Sequence, residues 1–298
     1  MEKTLAPIAC RLWNGYLKPF TIAALLGILA GACFGSLAQA APATTARISA
    51  ESTGISGQIA SAGRIRQQAQ RIAKLYQQIG MGLDAERARR QVIQATRQLD
   101  TDISGLMRST VTEKNRQLLE RTSTAWETMK RNGGQPLTPQ NREHIFIQAD
   151  ELALLSGRLS TQFELGSSAP TSRLLDLALR QGMLVQRLAR LYLTAYAGDK
   201  STGLRVDIEQ ARREFSAALD ELATAPENSE TNRRTLDLAR TQWFFFEQSI
   251  ASMNDPESSN PKHVATSSER ILEVLDELSL QYAKASDTLA SGRSERNS

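Results

Sequence analysis

A fifteen-residue stretch of this chain occurs twice in recognisable form. The string Ala62–Tyr76 returns 116 residues later as Ala178–Tyr192, with seven positions identical: Ala62/Ala178, Arg64/Arg180, Gln70/Gln186, Arg71/Arg187, Ala73/Ala189, Leu75/Leu191 and Tyr76/Tyr192. Near an offset of 117, Asn115–Trp126 returns as Asn232–Trp243 at Asn, Arg, Leu, Thr and Trp. A solenoid unit spans only about 20–50 residues, so a period this long describes a duplicated domain. The hydrophobic pattern says what kind of domain it is.

That pattern is helical throughout. Ile55, Ala62, Ala69 and Tyr76 fall seven apart, with Ile65, Ile72 and Ile79 interleaved between them. Ala88, Val92, Ala95, Leu99, Ile103 and Leu106 form a second stripe. Thr110-x-x-Glu113 reads as a capping box opening a third helix, which passes through Trp126 and stops at Gly133-Gly134. Thr138 and Pro139 open a fourth, striped by Ile145, Ala149, Leu152, Leu155, Leu159 and Phe163. A linker follows at Gly166–Pro170, then four more helices near 172–197, 204–224, 230–253 and 264–290. No strand alternation competes. The expectation is an all-α chain of two tandem up-down four-helix-bundle repeats, 55–166 and 171–290, semi-independent of each other. A linker at 41–54 precedes them and a polar tail at 291–298 follows.

Composition removes several function classes. Both cysteines, Cys10 and Cys33, lie in the first 40 residues, which leaves no thiol chemistry for the repeats. The formal charge of +4 falls to +2 beyond residue 40, since Lys3, Arg11 and Lys18 there outweigh Glu2. Such a balance provides no basic face for nucleic acid. Residues 1–40 read as a signal peptide, an apolar run ending in Ala38-Gln39-Ala40, so the mature protein is expected in the periplasm from Ala41. An uncleaved inner-membrane anchor over Pro19–Ala40 is the alternative. No nucleophile elbow, phosphate loop or zinc-protease motif is present, so neither enzyme nor cofactor is expected. His144 and His263 fall in different repeats and suggest no metal site. Glu273, Asp276 and Glu277 read as a solvated acidic face, and Trp126 and Trp243 as core anchors. The run Trp243–Phe246 wraps more than one helix face, which leaves some of it for a partner contact.

The repeated string carries a resemblance. Ala62-Gly63-Arg64-Ile65-Arg66-Gln67-Gln68-Ala69-Gln70-Arg71 resembles the A-G-R-Q-R-M-L-S-Q-R signature of the PilJ-type domain, the N-terminal module of type IV pili methyl-accepting chemotaxis transducers. It is similar to the periplasmic sensor of NarX-like nitrate/nitrite histidine kinases. Ile72–Tyr76 and Asp84-x-Glu86-Arg87-Ala88-Arg89-Arg90 fit the same family, and Ala178–Arg187 resembles the signature again. The resemblance implies a helical sensor in which an arginine, matching Arg66, binds an anion where two subunits meet. Gly63, Arg64 and Arg71 accompany it in the motif, with Arg180 and Arg187 as weaker second-repeat counterparts. Three positions depart from the family. Gln67 replaces a methionine, Ala69 a serine, and Gly182 stands where the second repeat's arginine would be.

The residues themselves leave Arg66 two roles, a structural salt bridge or an anion contact, because an unpaired buried charge is costly. Arg64 and Arg71 read as a solvated face. The functional expectation is a periplasmic ligand-binding sensor module, for a small anion such as nitrate or nitrite. With no second span or kinase before Ser298, signal transduction is expected to pass through a partner or a homodimer joining two first helices. The alternative is a non-catalytic envelope adaptor or structural protein associated with type IV pili or chemosensing.

Overall fold

Each apolar stripe becomes one helix. The computed structural model describes residues 54–109, 112–254 and 259–297, without the side chains of 254 and 290–297. The expected signal peptide, the cleavage site before Ala41 and the capping residue Thr110 lie outside the described residues. The helices are α1 (Ile55–Gly80), α2 (Ala85–Ser109), α3 (Glu113–Gly133), α4 (Pro139–Leu165), α5 (Thr171–Tyr196), α6 (Thr202–Thr224), α7 (Glu230–Ala251) and α8 (Pro261–Asn297). No strand occurs among the described residues.

The local signals explain most of the boundaries. Thr138 caps α4 by accepting from the Asn141 amide, with Pro139 in the first turn as expected. Gly134 closes α3, and Gly166–Pro170 breaks the chain between α4 and α5. The cap of α3 is Thr112, whose hydroxyl accepts from Asn115 at 3.3 Å. Helix α8 corrects the expected tail, for it runs on to Asn297. Its later turns are tied to other helices: Ser286 bonds Thr171 on α5 at 2.7 Å, and Ser56 of α1 donates to Asp287.

Helices α1, α4, α5 and α8 stand at the centre. Helix α1 packs on α2 and α4, and α3 packs on α4; in parallel, α5 packs on α6 and α8, and α7 on α8. The joint between the quartets is α1 against α5, comparable with the largest single pairing that either helix makes within its own quartet. The semi-independence expected from the linker is therefore wrong. One hydrophobic core runs through both quartets and the described helices form one compact unit. The reason is visible in α1, which buries 17 of its 26 residues where α2 buries 6 of 25. A helix covered on several faces needs more neighbours than its own bundle supplies.

Helices α1 and α5 run parallel, in a register equal to the sequence period. Gly63 lies against Leu179, and Gln77 donates to the Leu193 carbonyl; each pair is 116 residues apart. Trp126 and Trp243 are core anchors, with indole N–H groups reaching Asp100 at 2.7 Å and Ser216 at 3.1 Å. Phe246 is buried beside Trp243, whereas Phe244 and Phe245 are exposed and meet edge to face. Among the described residues no helix is long and apolar enough to cross a membrane.

Candidate functional site

Helix α1 is unusual in what it buries. Arg66, Gln67, Gln68, Gln70, Lys74, Gln77 and Gln78 are all buried, and such groups must find partners. Because successive helical residues turn by about 100°, the arginines of the motif leave α1 towards different neighbours.

Arg66 reaches α5. Its Nη2 donates to the Asp176 backbone carbonyl at 2.6 Å and to the Asp176 carboxylate at 2.7 Å. Ser160 of α4 donates to the same carboxylate, while the Arg66 Nε has no partner. Arg64 reaches α2, where Nε and Nη2 fork onto Asp102, itself held by Gln98. Arg71 turns to α8 and forks onto Glu269. Lys74, fully buried, donates to Glu269 and to Ser268. Burial by itself would raise the Glu269 carboxyl, but the charges of Lys74 and Arg71 hold it at about 2. Burial lowers the Lys74 ammonium, against the pull of Glu269. Across the joint, Arg190 of α5 pairs with Asp150 of α4 at 2.8 Å, and Gln70 of α1 donates to the same acid.

The expected site residues do not converge on one cavity. Arg64 and Arg71 leave the solvated face assigned to them, because α2 and α8 cover those two directions. Arg180 is exposed and pairs with Glu214 at 3.2 Å; Arg187 lies 3.8 Å from Asp207. Gly63 is a packing position, since a Cβ there would stand 2.5 Å from Leu179 Cδ1. A small cavity, about 10 Å3, sits where the α1–α2 turn meets the start of α8, lined by Gln78, Asp84, Arg87, Gln91, Thr266 and Glu269. It has room for roughly one water. No group of three or more His, Cys, Asp or Glu among the described residues is placed to hold a metal.

Sequence reasoning missed the acids. Asp176 stands alone in the run Leu174-Leu175-Asp176-Leu177-Ala178, and a lone carboxylate on an apolar stripe was the available signal. Asp276 corrects the acidic-face reading of α8. Glu273 and Glu277 are exposed, but Asp276 turns inward, half-buried, and accepts from Gln67 at 2.8 Å. Burial pushes its carboxyl up to about 6, against the Gln67 hydrogen bond and the more distant charges of Arg71 and Arg64. Gln67 in turn lies over Gly182, where a Cβ would stand 2.6 Å from its Oε1. Two departures from the family signature thus touch each other.

Residues 48–149 match the family model described as type IV pili methyl-accepting chemotaxis transducer N-term, the PilJ domain. The match spans α1 to α3 and the first part of α4, and α5–α8 lie beyond it. No curated protein and no solved structure matches the chain.

Proposed function

We infer, from the PilJ-type domain over residues 48–149, that this chain is a non-catalytic sensory-type module that works by protein contact in the cell envelope. In this reading it is exported to the periplasm and signals through a partner. The position where a NarX-like sensor would take a small anion is occupied by the chain's own Asp176 carboxylate. The observation that carries the reading is the closed Arg66–Asp176 pair, completed by Ser160. A carboxylate offers a guanidinium the same planar pair of oxygens as nitrate, and an intramolecular one forms its bond with no loss of translational freedom. Nitrate or nitrite must displace it to bind.

Exposed Phe244 and Phe245 support the partner contact. Their counterparts at the offset of 117 are Glu127 and Thr128, although Trp126 and Met129 bury as Trp243 and Phe246 do. Core packing does not require those two aromatics, and two apolar side chains kept in water mark a contact surface. Calorimetry of nitrate, nitrite and chloride on the purified chain tests the anion half of the reading. The wild type should give no binding heat, whereas Asp176→Ala, which frees Arg66, should bind weakly. Tight nitrate binding by the wild type, lost in Arg66→Ala, would restore the anion sensor.

A further inference from the structure

The acids that face the central helices differ in one respect. Asp102 has Arg64, Asp176 has Arg66, Asp150 has Arg190, and Glu269 has Arg71 with Lys74. Asp276 forms no ion pair among the described residues; its hydrogen-bond donor is the neutral Gln67 carboxamide. The reason lies on α5. Gly182 occupies the position equivalent to Arg66, so the second quartet brings no guanidinium to this point, and the Gln67 side chain fills the space instead. Leu272 closes the same spot from α8, its Cδ1 3.1 Å from where a Gly182 Cβ would be.

We propose that Gln67 and Asp276 form a proton-operated latch between α1 and α8. The charges around it are already committed. From α1, Arg64 and Arg71 act at longer range, the first paired with Asp102 of α2 and the second with Glu269. On α8 itself, Glu269 stands one heptad earlier and repels the ionised form. Helix α5 contributes Gly182, and α7 meets α8 nearby through the neutral Asn232 and Thr235, both bonded to Gln281. An ionised Asp276 accepts one hydrogen bond from Gln67 and keeps a poorly compensated charge in the seam. A protonated Asp276 loses that charge while its carbonyl oxygen still accepts from Gln67, so the α1–α8 joint keeps the hydrogen bond without the cost of a buried ion. The joint is firmer in acid.

The sign follows from linkage. The folded chain holds this proton up to about pH 6, against 3.8 for an ordinary aspartate, so this group makes folding more favourable as pH falls through that interval. The Glu269 cluster titrates lower and leaves the window clear. The test is a carboxyl-carbon NMR titration of the full chain, with thermal unfolding between about pH 5 and pH 8. The Asp276 resonance should titrate near 6, and the wild-type unfolding temperature should rise towards pH 5 by several degrees more than that of Asp276→Asn. Gln67→Leu, which removes the donor that the described residues supply to the ionised form, should move the midpoint upward. It also supplies the assignment if Asp276→Asn does not fold. An Asp276 midpoint below about 4.5, superimposable pH profiles for the wild type and Asp276→Asn, or a Gln67→Leu midpoint that stays put would each overturn the latch.

Discussion

Leu179 fills on α5 the space that Gly63 leaves open on α1, and the two residues are each other's counterparts in the 116-residue repeat. The reverse arrangement occurs one turn further on, where Gln67 of α1 lies over Gly182 of α5. Each helix carries a glycine where the other carries a large side chain. Two copies of α1 in the same register would face glycine to glycine, and two copies of α5 would set Leu179 against Leu179. The seam is shaped for one α1 and one α5.

That complementarity predicts a reciprocal pair of variants. Leu179→Ala should cost about 2–5 kcal/mol through the cavity it leaves. Gly63→Ala should cost about 1 kcal/mol, because the overpacking against buried Leu179 exceeds the helix propensity gained. Exchanging the two, Gly63→Leu with Leu179→Gly, should recover part of the loss. Urea unfolding of Gly63→Leu, Leu179→Gly and the exchanged pair measures this, and strict additivity of the pair would count against a shared site.

Arg66 is expected to act as a structural residue. Arg66→Ala leaves Asp176 with only the Ser160 hydroxyl in a half-buried seam, a loss on the order of 3 kcal/mol. Arg66→Lys should recover part of the loss, because both hydrogen bonds to Asp176 leave one nitrogen, Nη2, and an ammonium also carries several donors on one nitrogen. Denaturant midpoints decide it; a fully stable Arg66→Ala would mean that the pair contributes nothing to the fold.

Acid should dismantle the α1–α8 cluster in a defined window. The Glu269 carboxyl is held at about 2 in the folded chain against an ordinary 4.5, so its stabilisation is complete above about pH 4.5 and lost as pH falls towards 2. The amount is on the order of 3 kcal/mol. Glu269→Gln should flatten that acid limb. It should also destabilise the chain at neutral pH, because Lys74 then stays buried without a counter-charge.

The exposed aromatics should be separable from folding. Phe244→Glu with Phe245→Thr copies the first quartet's Glu127 and Thr128, and the unfolding free energy should change by less than about 0.5 kcal/mol. Binding of a hydrophobic dye should fall at the same time. A large stability loss would show that the pair is part of the core.

Much of this structure was legible in the residues. Apolar spacing of three and four places every helix, Thr138-Pro139 and Gly134 mark ends, and the period of 116 anticipates the register in which α1 and α5 pack. These are local properties, written in the rotation of about 100° per residue and in which backbone groups a cap can satisfy. Burial of Trp126 and Trp243 follows from the same arithmetic. What α1 faces does not. Arg64, Arg66 and Arg71 look alike in sequence, yet α2, α5 and α8 each supply one of them with an acid from 38 to 198 residues away. Nothing within a single helix says whether its polar side meets water or another helix. Only the closure of both quartets around one core settled that Asp176 would meet Arg66, and that Asp276 would turn inward without a cation.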